Sequence, residues 1–213
     1  NLAPKDARAV YKATSYDMRQ YKHLQMFVHA EALRAIDPDL QDGELSCFIR
    51  LGSDMTQNYY EYEIPLSITP EGIYNNNSEQ DRLLVWPKAN YFDFPFSLFT
   101  DAKTARNKAK RQGTSGVSNT IPYVVYDEEE GKQRNRITVM GNPTLQNVEN
   151  IMIGVRNNSG REVSGEVWVN ELRMSEFNED GGVAAMANAS LAVSDIAQVN
   201  VAGRLETAGY GSI

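Results

Sequence analysis

The chain has 213 residues, with 28 acidic against 21 basic side chains, a net charge of -7, and one cysteine. That balance excludes a general nucleic-acid binder, which needs a broad basic surface, and one cysteine excludes an internal disulfide. The length suits one sizeable sandwich or two small units. No run reaches the ~18 uninterrupted apolar residues of a membrane helix. The opening Asn1-Leu2-Ala3-Pro4 holds neither an initiator Met nor an apolar signal core, so a processed protein or a piece of one is expected.

Period-two patterning with turn residues at short intervals predicts antiparallel strands over 10–15, 22–30, 45–51 and 58–66. Further strands are expected over 83–86, 122–127, 136–140, 150–155 and 165–174. Cys47, within Leu45-Ser46-Cys47-Phe48-Ile49, is expected to pack as a small buried hydrophobe. Turns are expected at Thr69-Pro70-Glu71-Gly72, Glu130-Gly131, Gly141-Asn142-Pro143 and Asn157-Asn158-Ser159-Gly160. The predicted fold is all-β: an antiparallel, jelly-roll-like sandwich over 1–175, followed by a β-hairpin region over 176–213.

One segment departs from this pattern. Over 98–112, Leu98, Phe99, Ala102, Ala105 and Ala109 recur at spacings of three and four, which predicts one short helix capped by Gly113. Its other face carries Lys103, Arg106, Lys108, Lys110 and Arg111, and is expected to be solvated. The preceding aromatics, Tyr91, Phe92, Phe94 and Phe96, are expected to tether the helix to the core.

Farther on, strand parity slips: Val167 and Val169 share a face, yet Leu172 and Met174 share the parity of Trp168. A bulge near Asn170-Glu171 would account for the switch.

The tail alternates strictly. Val183, Ala185, Ala187, Ala189, Leu191 and Val193 share one face of a first strand. After a tight turn at Ser194-Asp195-Ile196, Ala197, Val199, Val201, Gly203 and Leu205 share one face of a second. The opposite faces are small or polar. Each strand is about as long as the 9–11 residues that a tilted strand needs to cross a bilayer. Alternation alone fits a membrane ribbon or a hairpin of the soluble sandwich equally well. Two strands cannot close a barrel, so on the membrane reading the remainder of the barrel lies elsewhere.

The succession Val167-Trp168-Val169-Asn170-Glu171-Leu172-Arg173, then Gly181-Gly182, then the closing Gly209-Tyr210-Gly211-Ser212-Ile213 resembles the SprA (Sov) family. Its members are giant outer-membrane proteins of Bacteroidetes that form the translocon of the type IX secretion system and are linked to gliding motility. The specific match covers about 165–213. The resemblance implies a fragment of a much longer chain, a very large barrel, and Val183, Ala185, Ala187, Ala189, Leu191, Val193, Val199, Val201 and Leu205 facing lipid. Implied partners are a small outer-membrane shuttle barrel (PorV-like), a plug protein and secreted cargo. The family has no catalytic residues to carry over. The Trp168 strand also resembles the closing strand of jelly-roll carbohydrate-binding modules, which would make Tyr60, Tyr62 and Trp86 a sugar platform in a soluble alternative.

Other constellations carry little chemistry. Asp37, Asp39 and Asp42 around Gly43 are weak calcium candidates, because Pro38 intrudes and the twelfth-position Glu of an EF-hand loop is absent. Asp127 to Glu130 is expected to be an exposed hairpin tip. His23 and His29, six residues apart on one strand face, would stand about 20 Å apart, too far to share a metal. With no nucleophile motif, no zinc spacing and no phosphate loop, neither an enzyme nor a cofactor is expected.

Overall fold

The computed structural model describes residues 1–177, 184–193 and 197–206. The chain divides into two compact units, Asn1–Phe177 and Asn178–Ile213. In the first, the elements are β1 (Ala7–Tyr16), β2 (Tyr21–Ala32), β3 (Leu45–Gly52), β4 (Tyr59–Pro65), α1 (Glu79–Val85), β5 (Phe92–Pro95) and α2 (Ser97–Arg111). There follow β6 (Tyr123–Tyr126), β7 (Arg136–Met140), β8 (Val148–Asn157) and β9 (Gly165–Phe177). The second unit contains β10 (Ala184–Val193) and β11 (Ala197–Glu206).

Alternation builds two antiparallel sheets in the first unit, ordered β1-β8-β3-β4-β7-β6 and β5-β2-β9. Leu45, Cys47, Ile49 and Leu51 of β3 and Tyr60, Tyr62 and Ile64 of β4 join Leu24, Met26, Val28 and Ala30 of β2 in one core. Each fully buried aliphatic side chain of this set is worth about 1.5–3 kcal/mol of transfer free energy. The fold is the expected all-β sandwich. Asn157 ties its N-terminal margin down, its Nδ2 donating to the carbonyls of Leu2, Ala3 and Arg161.

The aromatic stretch before α2 does tether it, through a short strand that the sequence reading lacked. Phe94 of β5 stacks on Tyr62 with ring centroids 4.0 Å apart, and Phe99 of α2 stacks on Tyr60 at 5.0 Å. Gly113 follows α2 at φ 72°, and its N–H donates to the Lys110 carbonyl as a left-handed cap requires.

Two expectations need correction. The apolar run over 83–86 is not a strand but the end of α1. Ser78 caps that helix by accepting the Asp81 N–H, and Glu79 and Asp81 suit its positive end. On α2 the buried stripe is Phe99, Ala102, Lys103 and Arg106, at spacings of three and four, while Ala105 is exposed. The supposed solvated basic face therefore lies partly inside.

The bulge falls where parity required it. Gln25 pairs with Arg173 and Phe27 with Asn170, so Glu171 and Leu172 together oppose one residue of β2. Glu171 takes φ 53°, the left-handed conformation of an inserted residue. Met174 thereby returns to the side opposite Leu24.

The core also sets an alkaline limit. Burial, aided by the Glu63 carboxylate, pushes the Cys47 thiol from 9.0 up to about 12. Burial likewise raises the Tyr59, Tyr60 and Tyr62 hydroxyls. A group whose folded pKa exceeds its unfolded value loses its contribution as pH rises from the unfolded toward the folded value. Lys103, whose charge is disfavoured by burial and by Arg106, acts in the opposite sense. Four groups against one give a stability that falls above about pH 9. Urea midpoints measured from neutral to alkaline pH should show this fall, and Cys47→Ser should flatten its onset. Midpoints that hold steady would refute it.

Candidate functional site

In the second unit β10 and β11 pair one for one, without a bulge, from Ala184 opposite Glu206 to Val193 opposite Ala197. The register sets Leu191 opposite Val199, Ala189 opposite Val201, Ala187 opposite Gly203 and Ala185 opposite Leu205. Positions of the apolar sequence face thus meet only each other. Ser190 meets Asn200, Ala192 meets Gln198 and Met186 meets Arg204, so the mixed polar positions also share a side. A one-residue slip would have scrambled both faces. Each strand has ten residues, about 33 Å when extended. Val183 and the turn at 194–196 lie outside the described residues.

The outer face of the six-stranded sheet carries a charged ladder that sequence reading missed. Glu61 accepts from Arg50 at 2.6 Å and from Arg156 at 3.1 Å. Glu63 accepts from Arg156 and Arg136, and from the Ser46 hydroxyl at 2.5 Å. Arg50 lies 3.8 Å over the Tyr59 ring and Arg156 4.7 Å over Phe48, so the guanidinium planes roof the two carboxylates. Burial works against the Arg156 charge, but Glu61 and Glu63 outweigh it and hold its pKa above the ordinary value. The available signal was parity: Tyr59, Glu61 and Glu63 stand opposite the core-facing Tyr60 and Tyr62.

The buried cations of α2 have a structural task. Lys103 Nζ donates to the Pro143 carbonyl at 2.9 Å, and Arg106, fully buried, donates to the Gly141 carbonyl at 2.5 Å. Both clamp the turn before β8.

The sugar platform does not form. Tyr60 and Tyr62 are each 1% exposed, with their hydroxyls bound to the Pro143 carbonyl and to Asp127. A buried ring offers no face to a glycan. Trp86 is half-buried, edge-on to Phe27 and close to His29. Asp127, expected at an exposed tip, is buried beneath Tyr62.

The calcium candidates diverge as well. Asp37 accepts from Arg161 at 2.8 Å and from the Ser164 N–H at 3.0 Å, while Asp42 accepts the Ile68 N–H at 2.7 Å. Asp39 offers its backbone carbonyl to Arg161 and Gln41. No cluster able to hold a metal occurs among the described residues. His29 bonds to the Val85 carbonyl and to Thr69, and His23 lies 3.5 Å from Asp93, so each has separate neighbours.

A model of the SprA_N family, described as a motility related/secretion protein, matches residues 1–213. The chain belongs to this family. No curated protein matches it.

The SprA_N match takes in the sandwich as well as the tail, whereas the resemblance in the sequence rested on 165–213. Of the residues that carried it, Trp168 lies on β9 opposite His29, 59% exposed, and Asn170 lies opposite Phe27. Glu171 and Leu172 form the bulge, and Arg173 donates to Gln25 at 3.1 Å. Gly181, Gly182, Gly209 and Gly211 lie outside the described residues. Among the described residues no helix is long and apolar enough to cross a membrane, which leaves membrane strands an open matter.

Proposed function

We propose that this SprA_N chain is part of an outer-membrane export channel, with β10 and β11 as two strands of its barrel wall and the sandwich attached to that wall. The observation that carries this reading is the β10–β11 register, which keeps the alternate positions of β10's apolar face, Ala185, Ala187, Ala189, Leu191 and Val193, opposite Leu205, Gly203, Val201, Val199 and Ala197 of β11. A two-stranded ribbon is marginal alone in water, and in lipid its edges must be paired into a closed barrel. The alternating apolar face is then turned to lipid and the mixed face to a wet lumen.

On this reading the chain performs no catalysis and uses no cofactor. It forms a passive path for folded secreted cargo, with direction supplied by partners. A PorV-like shuttle barrel and a plug protein are the partners that the family resemblance suggests. An antibody to the sandwich should detect, in detergent-extracted outer membranes, a band several-fold heavier than 23.8 kDa and missing from the soluble fraction. A soluble band of 23.8 kDa would overturn the proposal.

A further inference from the structure

At one end of the sandwich, a cavity of about 170 Å³ opens between the exit of β4, the turn at Lys88–Asn90 and the loop joining β6 to β7. It is smaller than the roughly 300–1,000 Å³ of pockets for whole small molecules, and suits a single functional group. Its wall is pinned. Asn90 is fully buried, its Oδ1 accepting the Ser67 N–H at 2.7 Å and its Nδ2 donating to the Ser67 carbonyl at 2.8 Å.

The charges at the rim are not balanced from within. Lys132 is committed, donating to the Asp93 carbonyl at 2.7 Å and to Glu129 at 2.8 Å. Lys88 and Arg134 also line the cavity, and among the described residues no carboxylate pairs with either. Asp42 stands on the same wall with one oxygen occupied by the Ile68 N–H. Two uncommitted cations against one carboxylate leave a local surplus of one positive charge.

Arg134 is also seated. Gly43 takes φ 80°, and a Cβ there would stand 2.7 Å from Arg134 Nη2, so the guanidinium rests where any side chain would collide. A planar guanidinium presents paired donors that match the two oxygens of a carboxylate. Asp42 sets the charge of the guest, because it would repel a phosphate dianion more strongly than a monoanion.

We propose that this cavity binds one carboxylate group, with Arg134 and Lys88 as its donors. The group could belong to a free small acid or to an acidic residue or terminus of another polypeptide. This is independent of the barrel reading, since it uses only residues of the sandwich.

The test is an amide-resonance titration of the whole chain in detergent micelles with sodium acetate, at matched ionic strength. Saturable shifts at Gly43, Ser67 and Gly131 are expected, with affinity falling about tenfold or more in Arg134→Gln, as loss of a charged hydrogen bond implies. Lys88→Gln should weaken binding as well, and inorganic phosphate should bind less well than acetate. Arg134 is exposed, so its replacement should leave the fold's resonances in place. A short peptide with one aspartate that binds more tightly than acetate would assign the guest to a polypeptide, and equal binding would assign it to a free acid. Shifts that do not saturate, or that persist unchanged in both variants, would overturn the proposal.

Discussion

Glu63→Ala should lower the unfolding free energy of the sandwich by about 3 kcal/mol, the low end of the range for breaking a buried ion pair. Glu63 is 5% exposed and takes hydrogen bonds from Arg136, Arg156 and Ser46. Its removal leaves Arg156 with Glu61 alone and Arg136 with no carboxylate. Arg136 is already strained for partners, since its Nε is buried without one. The low end applies because the two guanidiniums keep side-chain exposures of 35% and 20% and can recruit water. Glu63→Gln preserves the packing and the bond from Ser46, and should cost roughly half as much. Urea unfolding of the three proteins decides the matter. A loss below about 1 kcal/mol for Glu63→Ala would show that the ladder behaves as a solvated surface network.

The second large effect concerns the hairpin. Val201 lies midway along β11, opposite Ala189. If that face meets lipid, Val201→Arg places a cation near the bilayer midplane at a cost of about 2–4 kcal/mol. Asn200→Arg, one residue away on the opposite side of the ribbon, should be tolerated because a lumen hydrates the charge. The readout is the yield of folded, protease-resistant protein in outer membranes, with Val201→Arg strongly reduced and Asn200→Arg near wild type. Equal yields from the two variants would remove the reason for distinguishing the faces.

Much of this architecture was legible in the sequence because it follows from parity. Alternation located β2, β3, β4, β7 and β9, and the slip after Val169 located the bulge at Glu171. Parity failed where a residue's type and its surroundings disagree. Leu83 and Leu84 form an apolar pair that reads as strand, yet the Ser78 cap makes the segment helical and leaves both exposed. Arg106 and Lys103 read as solvated because their partners are backbone carbonyls of a turn far along the chain, which no local pattern reveals. Two residues apart on β4, Tyr60 and Tyr62 share a face by parity, but the burial of that face comes from β5 and α2 packing over it, which no local pattern reveals. The Glu61–Glu63 ladder required knowing that Arg50, Arg136 and Arg156 come from three other strands in one register. The signature around Trp168 pointed to the family, while the match over the sandwich needed the whole chain.

The central claim is that one face of the β10–β11 ribbon meets lipid, and its most direct test is fluorescence quenching by brominated lipid. A small fluorophore would be attached to single cysteines at positions 190, 191, 199 and 200 in the intact membrane protein. Cys47 is fully buried with its thiol pKa raised to about 12, so it should contribute little background. The account predicts strong quenching for Leu191→Cys and Val199→Cys and little for Ser190→Cys and Asn200→Cys. Quenching at none of the four would place the ribbon out of contact with lipid and contradict the channel-wall assignment.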